Sequence, residues 1–135
     1  GAIQLVRQRN SEDFMATYEE FTIDQGADVA IQIELVDEND NPKDLSNFTV
    51  TAYMKKNYTS TAFTQFNSVV ADPPTDGILT LSLTSTQTNA LKAGRYVYDV
   101  EISFVDPNGN TIVERVLEGR IQLTPSVTVT GGGGQ

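Results

Sequence analysis

The stretch that decides the fold is LKAGRYVYDVEISFV at residues 91–105, followed by DPNGN at 106–110 and TIVERVLEGRIQL at 111–123. In the first run, apolar side chains recur at every second position from Tyr96 to Phe104. A period of two is that of a β-strand with one buried face. The Asn-Gly pair inside DPNGN is typical of tight hairpin turns. The stretch therefore predicts a long β-hairpin.

The same period of two governs the chain before this hairpin. Alternating apolar residues predict five further strands, at residues 21–23, 29–35, 48–54, 63–70 and 79–83. Segments rich in Asp, Asn, Pro and Gly, DENDNP at 37–42 and DPPTDG at 72–77, separate them as turns. About seven strands with such punctuation predict an all-β, antiparallel β-sandwich.

Alternation stops once within this pattern, at TSTQTNAL, residues 84–91. Thr84 or Ser85 can cap a single helical turn there, which would stop by Gly94. Such a turn is expected to carry the chain from one sheet to the other.

Both ends of the chain differ from its middle. Residues 1–20 have no steady period, and Asn10 or Ser11 could cap a short turn, so this part is expected to be an N-terminal arm. Residues 131–135, GGGGQ, are expected to be a flexible tail, because glycine loses the most backbone entropy on ordering. The sandwich itself is assigned to residues 21–130.

Composition limits the possible functions. The 135 residues suit one domain and include no cysteine and no histidine, which removes thiol nucleophiles, Ser-His pairs and the commonest metal ligand. A formal net charge of -9 disfavours nucleic acid, and no apolar run is long enough to span a membrane. We expect no catalytic residue, no cofactor and no small-molecule substrate.

One acidic turn has the composition of a calcium site. DENDNP at 37–42 resembles the calcium linkers of cadherin repeats, and the side-chain oxygens of Asp37, Asn39 and Asp40 suit a hard cation. This turn joins two strands of one module, however, and the partner acidic motifs are not evident. The pattern favours a solvated turn over a metal site.

Four acidic residues of the hairpin invite a catalytic interpretation: Asp99, Glu101, Glu114 and Glu118. Glycoside hydrolysis needs two such acids across a cleft. Acids that alternate along a strand are also typical of a solvated sheet surface, and they discourage edge-to-edge aggregation. With Arg115 and Arg120 nearby to form cross-strand ion pairs, the sequence favours a surface network.

The GRYVY motif at residues 94–98 resembles the Gly-x-Tyr-x-Cys motif of immunoglobulin domains. The resemblance implies that Tyr96 is a tyrosine corner, whose hydroxyl binds backbone near Leu91, and that Tyr98 takes the place of the cysteine. Gly94, Tyr96 and Tyr98 are thus expected to be structural residues. A ligand-stacking role for the two tyrosines is the alternative.

Five motifs in order carry a wider resemblance, over residues 21–130: FTIDQGAD (21–28), PKDLSNFTVTA (42–52), DGILTLSL (76–83), GRYVYDV (94–100) and GRIQL (119–123) followed by VTVT (127–130). Their order and spacing resemble the immunoglobulin-like modules of tailed-bacteriophage virion proteins, and are similar to the N-terminal domain of baseplate upper proteins.

This resemblance implies a non-enzymatic structural protein of the virion, in the tail, neck, baseplate or capsid surface. Such a protein would be made in the bacterial host cytoplasm and would assemble as a homo-oligomer with other virion proteins, through its arm and sheet edges. The absence of a long receptor-binding extension favours a small accessory protein. The alternative is a carbohydrate- or host-surface-binding module, which needs exposed aromatic residues such as Tyr53, Tyr58 and Phe66.

Overall fold

The computed structural model describes residues 17–126 in full and residues 3–9 as a backbone strand. Two sheets pack around one hydrophobic core, which confirms the predicted all-β sandwich. Eight strands lie within residues 17–126, and β1 precedes them. The strands are β1 (Ile3–Arg9), β2 (Thr17–Asp24), β3 (Val29–Val36), β4 (Thr49–Lys55), β5 (Thr64–Gln65), β6 (Asn67–Val70), β7 (Ile78–Leu83), β8 (Gly94–Val105) and β9 (Thr111–Thr124).

The strand order is β1-β3-β7-β6 in the first sheet and β2-β9-β8-β4-β5 in the second. Neighbours run antiparallel except at two places, where β1 pairs in parallel with β3 and β2 with β9. β1 and the first four residues of β2 come from the region predicted as an arm, and the rest of β2 contains the strand predicted at residues 21–23. The division into arm, sandwich and tail stays a prediction, and the predicted turn at Asn10 or Ser11 and the stretch 127–135 lie outside the described residues.

The predicted hairpin is confirmed as β8 and β9, which pair from Gly94 opposite Leu123 to Val105 opposite Thr111. The register shifts once, after Val100, because β9 carries one extra residue there. Val116 and Leu117 are consequently both buried, although they are adjacent in sequence. The bulge thus places two adjacent apolar side chains in the core, whereas Ile112 and Val113, at the start of β9, are exposed.

The single strand predicted over residues 63–70 is wrong. The chain forms β5 in the five-stranded sheet, then crosses at Phe66 and forms β6 in the four-stranded sheet. The Phe66 N–H donates to the Ala52 carbonyl oxygen at 2.9 Å, and its side chain is buried in the core. A period of two shows which side chains face inward, but it does not show which sheet they belong to.

The predicted helical turn is confirmed as α1 (Ser85–Asn89), which connects β7 of one sheet to β8 of the other. Thr84 and Gln87 form a capping box: the Gln87 N–H donates to Thr84 Oγ1, and the Thr84 N–H donates to Gln87 Oε1. The helix ends at Ala90, before the expected Gly94. In the described part of the chain, no helix is long and apolar enough to cross a membrane.

The core is formed by the inward face of each sheet. Residues such as Ile33, Leu79 and Val100 have no exposed surface, and each fully buried aliphatic side chain stabilises the fold by about 1.5–3 kcal/mol. Thr88 of α1 is buried beside this core, and its hydroxyl donates to the Ala27 carbonyl oxygen and accepts from the Gly26 N–H. These bonds hold α1 against the β2–β3 turn.

Candidate functional site

Tyr96 lies at the start of β8, two residues after Gly94, and its ring packs at the edge of the core. Its hydroxyl donates to the Lys92 carbonyl oxygen at 2.6 Å, four residues upstream. This has the geometry of a tyrosine corner. The Lys56 ammonium lies 4.9 Å from the centre of the Tyr96 ring, on the solvent side. The Tyr96 hydroxyl therefore binds the backbone, and its ring contacts a lysine side chain.

Tyr98, which is predicted to take the place of the immunoglobulin cysteine, extends within its own sheet rather than between the sheets. Its hydroxyl donates to the Glu19 carbonyl oxygen on β2 at 2.9 Å, and its ring packs 5.5 Å from that of Phe21. Gly119 of β9 lies between them, opposite both Tyr98 and Glu19. Because Gly119 has no side chain, the phenol can pass over β9 and tie β2 to the sheet.

This arrangement predicts a pH dependence of stability. Burial raises the pKa of the Tyr98 phenol, and the nearby Glu19 charge raises it further. Since the folded-state pKa lies above the unfolded one, the neutral phenol stabilises the fold fully below about pH 10 and less as the pH rises further. We expect the free energy of unfolding to fall by up to about 1.4 kcal/mol per pH unit in that range from this residue.

Urea denaturation between about pH 8 and pH 11 measures this slope. Tyr98→Phe is expected to flatten it. Burial also raises the pKa of Tyr96, so part of the slope is expected to remain in that variant. An identical slope in the variant and the wild-type protein would contradict the prediction.

The acidic turn at 37–42 and the hairpin turn have the same structure. In each, the N–H of the first aspartate, Asp37 or Asp106, donates to the carbonyl oxygen of the asparagine four residues later at 2.8 Å. The Oδ1 atom of the same aspartate accepts from two backbone N–H groups within the turn. A shared Val-Asp-x-Asn-x-Asn pattern is the sequence signal for this pair, and strand periodicity does not reveal it.

The residues considered for calcium thus lie in a turn that is closed by its own hydrogen bonds. Asp37 satisfies backbone N–H groups, and Asp40 adopts a positive φ of 64° as the turn requires. Across residues 17–126, no group of three acidic side chains is arranged to hold a metal ion. The structural roles of Gly94, Tyr96 and Tyr98 and the hypothesis of a calcium site at Asp37, Asn39 and Asp40 both stay predictions.

Three of the four hairpin acids converge on the outer face of the five-stranded sheet. The Arg115 Nε atom lies 3.3 Å from Asp99 Oδ2, and its terminal nitrogens lie 3.8 Å from carboxylate oxygens of Glu101 and Glu118. Glu114 precedes Arg115 on β9 and therefore faces the other way. One guanidinium shared by three half-exposed acids is a surface ion-pair network.

We expect Arg115→Ala to change the free energy of unfolding by less than about 1 kcal/mol, because half-exposed ion pairs are screened by solvent. Thermal and urea denaturation provide the measurement. A loss above about 2 kcal/mol would mean that the network carries the stability of the sheet.

Beside this network lies a groove of about 320 Å³, between β4, β8, β9 and the β4–β5 loop. Tyr53 and Tyr58 line one side, and Tyr58 is 73% exposed. Phe63, which was not among the predicted aromatic residues, packs edge-on against Tyr53, with the ring centres 4.6 Å apart. The prediction that Phe66 is an exposed aromatic residue is wrong, because its side chain is buried in the core.

Comparisons with known proteins support the fold. No protein-family model and no curated protein matches the sequence. Among solved structures, the chain is similar to the N-terminal domain of phage TP901-1 ORF48, with a TM-score of 0.58 and 12% identity over 90% of this chain and 98% of that one. It is also similar to murine CRIg, with a TM-score of 0.45 and 15% identity over 80% and 92% of the two chains.

The first comparison supports the fold. A phage protein domain shares the β-sandwich over nearly the whole length of both chains. The resemblance to an immunoglobulin-like phage module, predicted from the ordered motifs, is therefore confirmed at the level of the fold.

Proposed function

We propose that this chain is a non-enzymatic structural module of a tailed-phage virion, present in several copies and bound to other virion proteins. The observation that carries the proposal is the match to a phage domain over 90% of this chain and 98% of the other. The ordered motifs at residues 21–130 point to the same group of proteins. The protein would then be made in the host cytoplasm and be located in the virion.

Strand edges provide surfaces for such assembly. β1 and β6 are the outer strands of one sheet, and β2 and β5 are those of the other. An outer strand offers backbone N–H and carbonyl groups that can pair with another chain. β1 and β2 belong to the N-terminal region, so this region contributes one edge to each sheet.

Mass spectrometry of purified particles, from the phage that encodes the chain, tests the proposal. We expect the protein in the particle at a fixed ratio to the major capsid protein, near a copy number set by symmetry, such as about six or about twelve. An abundant host cytoplasmic protein in the same sample sets the level of contamination. Absence from the particle, or abundance at the contamination level, would overturn the structural role.

A carbohydrate- or host-surface-binding module is the second candidate, and the groove on the outer face of the five-stranded sheet favours it. Exposed Tyr58 stands beside Tyr53, Asp99 and Arg115. Aromatic rings with a few polar groups are the usual lining of small-ligand sites. We expect Tyr58→Ala to weaken binding to isolated host envelope polysaccharide by about tenfold or more, as measured by calorimetry.

Val69→Ala is the matched control, because Val69 is similarly exposed but lies on β6 of the other sheet. Its affinity should equal that of the wild-type protein. If the wild-type protein binds no envelope polysaccharide, the second candidate is overturned and the structural role is unaffected.

A further inference from the structure

One end of the sandwich, which we call the acidic end, contains the β3–β4 and β6–β7 loops and the β8–β9 turn. The loops are joined, since the Leu35 N–H donates to the Gly77 carbonyl oxygen and the Leu45 N–H to that of Pro74. Phe48 and Phe104, with ring centres 5.1 Å apart, bring the hairpin tip to the same end. Seven acids and one base, Lys43, lie in these connections: Asp37, Glu38, Asp40, Asp44, Asp72, Asp76 and Asp106.

The opposite end, which we call the basic end, contains the β2–β3 turn, the β4–β5 loop and the segment from α1 to β8. Four of the nine basic residues of the chain lie there: Lys55, Lys56, Lys92 and Arg95. Two acids, Asp24 and Asp28, also lie there, so bases outnumber acids among the described residues of this end.

The lysines of the basic end surround a groove of about 380 Å³ with an apolar lining that includes Phe63, Leu91 and Tyr96. Phe63 is 55% exposed, and its edge-on contact with Tyr53 keeps the ring in place. Within the described part of the chain, Lys55 and Lys92 form no ion pair with a carboxylate. This groove therefore combines positive charge with an exposed apolar surface.

The acidic end combines negative charge with exposed apolar side chains, which complements the groove of the basic end. At the hairpin tip, Val105 is 66% exposed and Ile112 is also exposed, beside Asp106. Protein interfaces typically have an apolar centre with a polar and charged rim. The basic end thus has lysines around an apolar groove. The acidic end has exposed apolar side chains at the hairpin tip and an excess of carboxylates.

We propose that the basic end of one copy binds the acidic end of a second copy. The contact is heterologous, so repetition gives a ring if the rotation closes and a filament if it does not. The proposal rests on the multi-copy role proposed above. It names the surface through which like copies meet, in addition to the strand edges.

Charge screening sets the conditions under which this contact forms. The formal net charge of -9 makes whole copies repel one another. At an ionic strength of about 0.15 M the Debye length is about 8 Å, so the repulsion between distant charges is screened while opposite charges at the contact still interact. At about 1 M salt the Debye length falls to about 3 Å, and we expect association to weaken by about tenfold or more.

Sedimentation velocity with two reversed variants tests the contact. Lys56→Glu with Lys92→Glu disables the basic end, and Glu38→Lys with Asp76→Lys disables the acidic end. The wild-type protein should associate at about 0.15 M salt, whereas each variant alone should remain a monomer. An equimolar mixture should give a 1:1 heterodimer and nothing larger, because it contains one intact end of each kind.

Two controls separate end contacts from general effects. Gln32→Glu adds a negative charge in the middle of β3, away from both ends, and should associate like the wild-type protein. Phe63→Ser should weaken association without changing the charge, whereas Val69→Ser, on β6, should not. Circular dichroism confirms that each variant is folded.

A monomeric wild-type protein, association of either reversed variant like that of the wild type, or a mixture without heterodimers would overturn the contact. The last two outcomes would assign any association to another surface, such as the strand edges. Failure here leaves the particle measurement untouched, so failure of the contact and failure of the virion role can be told apart.

Discussion

Gly119→Ala is expected to lower the free energy of unfolding by about 3–5 kcal/mol. A Cβ atom at this position would overlap the Glu19 carbonyl oxygen and lie 2.9 Å from the Glu19 carbonyl carbon. Both are backbone atoms of β2, so no side-chain rotation relieves the clash. The strand has to move away from β9, which also disturbs the buried Phe21 and Ile23.

Gly109→Ala is the matched control for this prediction. Gly109 lies in the hairpin turn with a φ of 84°, and a Cβ atom there meets nothing within 4 Å. Its replacement is expected to cost only about 1 kcal/mol, from the left-handed backbone. Urea denaturation of both variants gives the comparison. A Gly119→Ala protein within 1 kcal/mol of the wild type would show, contrary to our expectation, that β2 shifts at little cost.

Tyr98→Ala is expected to have a similar effect, about 3–5 kcal/mol, because it empties the space of a large buried side chain. Tyr98 is only 3% exposed, and its ring packs against Phe21. The substitution also removes the hydrogen bond to the Glu19 carbonyl oxygen. Two connections between β2 and the rest of the sheet are lost at once.

Tyr98→Phe separates these two contributions. It keeps the ring and removes only the hydroxyl, so we expect a loss of about 1–2 kcal/mol. Equilibrium denaturation of the two variants at neutral pH measures both. Equal losses would mean that the hydroxyl accounts for the whole effect and the ring for none, which contradicts the packing seen in the structure.

Together Tyr98 and Gly119 explain how a sandwich without cysteine holds β2, an outer strand of the five-stranded sheet, in place. The conserved disulfide of immunoglobulin domains joins the two sheets through the core. Here Tyr98 reaches sideways within one sheet, over Gly119, to the backbone of β2. The two sheets are held together chiefly by apolar packing.

Local patterns predicted the parts of this fold that local interactions determine. The β8–β9 hairpin follows from alternation and an Asn-Gly turn, and α1 follows from the break in alternation with Thr84 or Ser85 as a cap. The surface network at Arg115 follows from alternating charges on paired strands. In each case the interacting residues are close in sequence or directly opposite in a hairpin.

Features that depend on distant segments were not predictable in the same way. The crossing at Phe66 divides one apparent strand between two sheets, and the β2–β9 pairing joins residues about a hundred positions apart. The groove beside Tyr58 needs a loop to fold onto a sheet face. Sequence periodicity does not predict these contacts between distant segments, because it shows only which side of a strand each residue occupies.

By itself, the sequence determined that the chain is a β-sandwich with a long final hairpin and no thiol or imidazole chemistry, because the alternation of apolar residues and the composition are properties of the chain alone. Only the tertiary structure decided which loops share an end. Seven acids spread over three connections become one acidic end, and lysines from two others become its opposite, since strand direction brings distant turns together.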